Sequence, residues 1–347
     1  MENSSAQIKL SFCIPTYNRA GFIGQTLDSI ISQASDNIEI VIVDGASTDN
    51  TSEVVDMYRK KFKNLVYFCS GKNMGVDRDM AKTIELARGQ YCWMFSDDDL
   101  LKPRAIKTIL KEIESGCEIY LCNITACNLN MHAYKQMSWL SVKIEDRIFN
   151  LDNAEEFKFY CNNANSIGAL FSYMSSIILR REQWNISGFD QDFQSTAYAL
   201  ASSLISFTAR KCRLKYIKDS LVLWRNDNES FQYSGGLVKR FLLDFDGYLK
   251  LADKYFLSNP DLRMSFLKVM TREHPWYTIL HVVSLIRDQQ LWLQFKNYLL
   301  AFGYSRGMIR ICRFCSMNQA MVGSAVRLKR AVVRSGFYLW LDRNSRR

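Results

Sequence analysis

Tyr91-Cys92-Trp93-Met94-Phe95-Ser96-Asp97-Asp98-Asp99 is the stretch that decides the fold. Its unbroken apolar and aromatic run reads as a buried strand, and three carboxylates follow where that strand emerges. In an open α/β sheet, ligands gather at the carboxyl ends of the strands. Clustered carboxylates there suit a hard divalent cation such as Mg2+ or Mn2+, which takes oxygen ligands and carries substrate phosphates. An isolated Asp triplet also suits an acidic turn or a helix start, so the strand ends around it decide between these.

On either side, the first ~125 residues alternate β-branched or aromatic runs with amphipathic stretches, the pattern of a parallel sheet built from β–α units. Strands are expected at Lys9–Ile14, Ile38–Val43, Leu65–Phe68, Tyr91–Phe95 and Ile119–Cys122. Ile23, Leu27, Ile30 and Ile31 fall at helical spacing. So do Val54, Val55, Tyr58 and Phe62, in a helix capped by Asn50 with Glu53. A further helix runs from about Val76 to Ala87 and stops at Gly89, and Pro103 opens one that bears Ile106, Ile109, Leu110 and Ile113. After Asn123 the alternation ends. Residues 124–170 read as a loop-rich acceptor region, Tyr173–Leu179 as a strand, and the chain from about Leu237 as helical.

Three strand ends carry candidate chemistry. The first strand runs into Pro15-Thr16-Tyr17-Asn18-Arg19, where Pro15 breaks the strand and Tyr17 offers a flat ring to a nucleobase. The second ends in Asp44-Gly45-Ala46-Ser47-Thr48-Asp49. Asp44 there can accept a hydrogen bond from a base or ribose, while Ser47, Thr48 or Asp49 can cap the next helix. The third leads to Asn73-Met74-Gly75-Val76-Asp77-Arg78-Asp79. Gly75 allows close backbone approach, the helix N-terminus favours an anion, and Arg78 can face a diphosphate or pair with Asp77 or Glu85.

In this order and at these intervals, across roughly residues 8–125, the four elements resemble the nucleotide-sugar half of family 2 glycosyltransferases, which have the GT-A fold. Further similarity extends to the abequosyltransferases of O-antigen synthesis. It is carried by Tyr91–Phe95, Ile119–Cys122, Ser166-Ile167-Gly168, Phe171–Ser176, Asn228-Glu229-Ser230-Phe231 and His274-Pro275-Trp276. The resemblance implies that Pro15, Thr16, Tyr17 and Asp44 surround the donor's base and ribose, with Asn73, Gly75 and Arg78 near ribose and diphosphate. It implies a divalent metal on Asp98, supported by Asp99, with Asp97 beside the donor. Two departures stand out. Ser96 occupies the place of the first acid in the usual Asp-x-Asp-Asp motif, and Thr196-Ala197-Tyr198 falls where inverting members carry a Glu-Asp pair. Asp190 and Asp192, in and after Gly188-Phe189-Asp190, are then the candidate catalytic bases.

The charge of the chain is concentrated at one end. Of a net +10, +9 falls from residue 301 onward, where Arg306, Arg310, Arg313, Arg327, Lys329, Arg330, Arg334, Arg343, Arg346 and Arg347 face only Asp342. Apolar residues and the patch Phe337–Leu341 interleave with these cations, a composition suited to an anionic membrane interface. A helix docked on the catalytic domain is the structural alternative, and no nucleic-acid motif accompanies the charge. No apolar run is long enough to span a bilayer and the N-terminus lacks a secretory layout, so a cytoplasmic protein peripheral to the inner face of the membrane is expected. Ten cysteines scattered through apolar segments fit reduced thiols, and Cys312 and Cys315 read as neighbours on a helical turn.

The expected organisation is an α/β, Rossmann-like GT-A domain over residues 1–232 and a mainly helical, basic region over 233–347. The expected function is transfer of a sugar from a nucleotide-sugar donor to a lipid-linked oligosaccharide, with a CDP-3,6-dideoxyhexose such as CDP-abequose as the donor that the resemblance implies. Asp44 by itself does not separate CDP from UDP. A UDP- or dTDP-sugar transferase of the same fold, and a non-catalytic nucleotide-sugar or glycan-binding module, are the alternatives.

Overall fold

The structure is a computed structural model that describes residues 7–226, 228 and 236–318. The described residues pack into two compact units. The first takes those within Met1–Glu229 and Asp253–Phe266, the second those within Ser230–Ala252 and Leu267–Arg347. Residues 253–266, which the sequence groups with the helical region, pack with the first unit, where the Phe256 ring meets Phe157 edge-on at 5.4 Å.

Ten strands form one sheet in the first unit: β1 (Leu10–Thr16), β2 (Ile38–Asp44), β3 (Leu65–Cys69), β4 (Tyr91–Met94), β5 (Leu100–Leu101), β6 (Ile119–Cys127), β7 (Ala133–Met137), β8 (Arg147–Asn150), β9 (Ile177–Arg180) and β10 (Arg213–Arg225). Their order is β3-β2-β1-β4-β9-β6-β10-β5, with β7 on β6 and β8 on β10. The half from β3 to β4 is wholly parallel, β9 runs antiparallel between β4 and β6, and β10 returns parallel to β6.

Among the described residues, seven α-helices accompany this sheet: α1 (Ile23–Ile31), α2 (Thr51–Arg59), α3 (Val76–Leu86), α4 (Ala105–Glu112), α5 (Ala154–Asn163), α6 (Arg181–Ser187) and α7 (Ala199–Ser206). Every residue of β1, β2 and β4 is buried, which is why these strands read as continuous apolar runs. Trp93 stacks on Phe12 at 5.2 Å and meets Phe95 edge-on at 5.9 Å, anchoring the strand that ends in the acidic triplet. Fully burying an aromatic of this size contributes about 2–3 kcal/mol.

The structure revises several local expectations. Residues 124–170 are not one loop: β6 continues to Cys127, and β7, β8 and α5 follow. β7 and most of β8 are exposed, so they lack the apolar alternation that would have marked them. Tyr173–Leu179 is only partly a strand, because Met174–Ser176 forms a 3-10 turn before β9. Asn50 stands at the start of α2 but makes no side-chain cap, while Asp49 accepts from the Thr51 amide and hydroxyl. Pro103 lies before α4, whose first helical residue follows a left-handed Arg104.

The second unit is helical: α8 (Gly236–Phe256), α9 (Pro260–Glu273), α10 (Trp276–Val283), α11 (Gln289–Ala301) and α12 (Arg306–Met317), with the last turn of α8 and the start of α9 counted in the first unit. Phe245 is fully buried against Phe295 and Phe302 at 5.4 and 5.0 Å. On α12, Ile309, Cys312 and Cys315 face inward as free thiols and an apolar side chain, while Ile311, Phe314 and Met317 are exposed beside Arg310. Among the described residues no helix is long and apolar enough to cross a membrane. Most of the basic tail, from residue 319 on, lies outside the described residues.

Candidate active site

The parallel register brings β1, β2 and β4 to a common end. Thr16 pairs with Asp44, Gly45 donates its amide to the Thr16 carbonyl at 2.9 Å, and the Phe95 amide bonds to Cys13 on β1. Pro15, Thr16 and Tyr17 are therefore drawn beside Asp44, one strand from the acidic triplet. Tyr17 is 45% exposed, so its side chain is accessible to a ligand.

Asp44 is buried at the end of β2, where its Oδ1 accepts from the Ser47 amide at 2.7 Å and its Oδ2 from the Tyr67 hydroxyl at 2.8 Å. At the mouth of α3, Asn73 Oδ1 accepts from the Gly75 amide at 2.8 Å, and Gly75 adopts φ +87°, which disfavours other residues. Arg78 has no carboxylate within ion-pair distance among the described residues. Its guanidinium lies over the Phe189 ring at 5.6 Å, so neither Asp77 nor Glu85 neutralises it.

The three acids after Phe95 are all buried but differently held. Asp99 has both oxygens engaged: Tyr173 and Ser175 hydroxyls donate to Oδ2 at 2.5 and 2.6 Å, and the Arg225 amide to Oδ1 at 3.1 Å. Asp98 accepts from the Ser96 hydroxyl at 2.6 Å and from the Asn228 amide nitrogen at 2.7 Å. Ser96, standing where the family motif has its first acid, thus orients Asp98. Asp97 faces the Arg19 guanidinium at 3.6 Å. Burial, then the Asp98 charge, pushes Asp97 above the ordinary carboxylate range, against the pull of Arg19 and Thr16. The same two causes push Asp99 up, against its three hydrogen bonds.

Three buried carboxylates in one turn, with Asp97 and Asp99 raised by burial and the Asp98 charge, are what a cation would relieve, so the donor set fits a divalent metal. Among the described residues no three His, Cys, Asp or Glu side chains converge to hold an ion on protein ligands alone. Mg2+ or Mn2+ would then rest on Asp98 and its neighbours together with ligand oxygens, a common arrangement for Mg2+.

Arg225 is the principal residue that sequence reasoning missed. It is 4% exposed, and its Nε donates to the Asp98 carbonyl at 2.9 Å and its Nη2 to Gln25 Oε1 at 2.8 Å, while Nη1 reaches the Leu129 carbonyl. It thereby ties the acidic turn to α1 and to the segment after β6. Tyr173 and Ser175 belong to the motif singled out in the sequence, but nothing local marks their partner as Asp99.

The candidate bases Asp190 and Asp192 are both tied to Lys254, at 2.8 and 3.0 Å. Asp190 also takes hydrogen bonds from Ser202 and Tyr255 and caps the turn Gln191–Phe193. Burial works to raise its pKa, but Lys254 and Ser202 outweigh it and hold the carboxyl below the usual range, a poor setting for a base. The loop at Thr196–Ala197 instead meets Asp77, whose Oδ2 accepts from the Ala197 amide at 3.3 Å. Burial raises the pKa of Asp77 against that bond. The loop is unusual in carrying Ser195 and Ala197 at φ +65° and +66°.

A sheet of this order with acids at its carboxyl edge is of the GT-A class of fold. The model of glycosyl transferase family 2 matches residues 11–182. Abequosyltransferase RfbV of Salmonella typhimurium is 37% identical over 278 residues, which cover 78% of this chain and 83% of that protein. The chain therefore belongs to glycosyl transferase family 2 and is a glycosyltransferase similar to abequosyltransferases. Among solved structures, S. aureus TarS 1-349 in complex with UDP-GlcNAc superposes with a TM-score of 0.63 at 17% identity, over 93% of this chain and 92% of that one. Mannosyltransferase PcManGT from Pyrobaculum calidifontis, in complex with GDP-Man and Mn2+, gives 0.50 at 15% identity over 93% and 87%. These two share the fold.

Proposed function

We propose that the enzyme transfers a sugar from a nucleotide-sugar donor, a CDP-3,6-dideoxyhexose such as CDP-abequose, to a lipid-linked oligosaccharide in surface-polysaccharide assembly. The observation that carries this reading is the meeting of Asp44, the acidic turn and the unneutralised Arg78 around the strand ends of a chain 37% identical to an abequosyltransferase. In it, Tyr17 covers the base, Asp44 takes a hydrogen bond from base or ribose, and Asn73, Gly75 and Arg78 meet the ribose and diphosphate. Asp97 lies on the donor side. Asp98 would hold a divalent ion, with Asp99 setting its position through Tyr173, Ser175 and Arg225.

The acceptor hydroxyl attacks the anomeric carbon, and the bond from that carbon to the diphosphate oxygen breaks. The nucleoside diphosphate leaves with the electron pair, and Arg78 stabilises its charge. A bound divalent ion would supply Lewis-acid neutralisation of the same leaving group. The hydroxyl proton needs a base, and Asp77 is better suited than Asp190 or Asp192 because among the described residues no lysine holds its carboxylate. The basic C-terminal segment would bring the enzyme to the inner face of the membrane, where a lipid-linked acceptor resides.

The test begins with thermal shift against CDP, UDP, dTDP and GDP sugars with and without Mn2+. Single-turnover consumption of the stabilising donor follows, in the presence of extracted lipid-linked oligosaccharide. Stabilisation without consumption would favour the non-catalytic binding module, for which the Ser96 departure and the missing Glu-Asp pair are the motives. Stabilisation by UDP or dTDP sugars alone would select the other transferases of this fold.

A further inference from the structure

A second carboxylate stands beside Asp44. Asp79, in the first turn of α3, is 5% exposed. Its Oδ2 lies 2.7 Å from where a Cβ on Gly45 would stand, so a side chain at position 45 would displace it. The two acids therefore face one another across the turn that follows β2, next to Tyr17 at the end of β1. Asp44 has a donor on each oxygen, Ser47 on one and Tyr67 on the other. The Asp79 side chain accepts no hydrogen bond from any described residue. A buried carboxylate without a donor is costly, and a like charge beside it adds to the cost. Burial, and then the Asp44 charge, accordingly raises the pKa of Asp79 to about 6.

The pyrimidines differ in what they offer at this edge. Uracil and thymine present one N–H donor between two carbonyl oxygens. Cytosine replaces one carbonyl by an amino group with two hydrogens, and its N3 is a bare acceptor. Two carboxylates set against uracil would place an acceptor against a carbonyl oxygen. Against cytosine, the amino group has two hydrogens and can offer one to each carboxylate, so neither acid is left facing a carbonyl oxygen. We propose that Asp79, together with Asp44, makes the donor pocket selective for cytidine nucleotides over uridine and thymidine nucleotides. This deepens the donor assignment above and rests on it. Asp79 is thus a specificity-determining residue, and Gly45 is the residue that admits it.

Titration calorimetry of the full-length protein with CDP, UDP and dTDP at one fixed Mg2+ concentration tests the assignment. The wild type should bind CDP at least about tenfold more tightly than UDP, the discrimination expected when a buried polar group is left unpaired. Asp79→Asn keeps shape and supplies both a donor and an acceptor, so it should accept either base and bring the ratio to within about threefold. Asp79→Leu should weaken CDP binding by about tenfold or more. If the Leu variant does not fold, the isosteric Asn variant still decides. Equal affinity of the wild type for CDP and UDP, or an unchanged ratio in Asp79→Asn, overturns the role of Asp79 while leaving nucleotide binding intact. If none of the nucleotides binds, this selectivity and the donor reading fall together.

Discussion

Replacing Asp98 by Asn separates the chemistry of the acidic turn from its architecture. Asp98 receives one hydrogen bond from the Ser96 hydroxyl and one from the Asn228 amide. An Asn side chain can keep its oxygen toward Asn228 and turn its NH2 to Ser96, whose hydroxyl accepts as readily as it donates. No hydrogen bond need be lost. Both Asp97 and Asp99 are raised by burial and then by the Asp98 charge, so removing that charge relieves a repulsion in the metal-free protein. Stability should therefore stay level or rise by about 1 kcal/mol, a Tm change of about 2–4 °C or less for a unit of this size. Turnover should fall by about 10²–10³-fold, about 3–4 kcal/mol, because the ion would lose its charged ligand just as the diphosphate develops charge. The assay is donor consumption at saturating Mn2+, paired with melting curves with and without Mn2+ and nucleoside diphosphate. The wild type should gain stability on adding both ligands, and the variant should gain little from the metal. Activity within tenfold of wild type, or a loss of more than about 5 °C in the metal-free melt, would refute this placement of the ion.

Asp44→Ala should weaken nucleoside diphosphate and intact donor alike by about 1–3 kcal/mol, measured by calorimetry, since Tyr67 and Ser47 lose their acceptor along with the ligand. Asp77→Asn should lower turnover at least about tenfold with little change in melting, whereas Asp190→Asn should chiefly lower the melting temperature by unpairing Lys254. A reversed pattern would return the base to Asp190. Because the folded pKa of Asp79 is raised to about 6 from 3.8, its acid form is favoured in the fold. Its contribution is fully present below about pH 4 and is lost as pH rises toward 6, so Asp79→Asn should flatten that part of the stability profile in denaturant titrations. A cut at Arg306 would remove Ile309, Cys312 and Cys315 from the second unit, so the tail is better removed after Asn318. That deletion takes away seven cations and one acid and should release the protein from anionic liposomes, at roughly 1 kcal/mol per cation near the surface. Intact protein that fails to float with such vesicles at low salt would end the membrane assignment.

The parts of this protein legible in its sequence are those that depend on near neighbours. The buried run Tyr91–Met94, the apolar β1 and β2, and helices at regular spacing follow from periodicity, and the acids at strand ends follow from where each run stops. The site's elements were legible for the same reason, since a parallel sheet carries its loops to one edge. What stayed hidden involves residues far apart in the chain. Nothing near Arg225 announces that its amide and guanidinium hold Asp99 and Asp98, 126 and 127 residues away. Nothing near Asp190 announces Lys254, which converts a candidate base into one end of an ion pair. The insertion of β9 between β4 and β6 was equally invisible, because a short apolar strand reads the same in either direction and beside any neighbour. Spacing determined which acids reach the strand ends. Only the tertiary structure decided which of them are engaged by donors and which, like Asp79, have none among the described residues, because hydrogen bonding and desolvation depend on packing between segments remote in sequence.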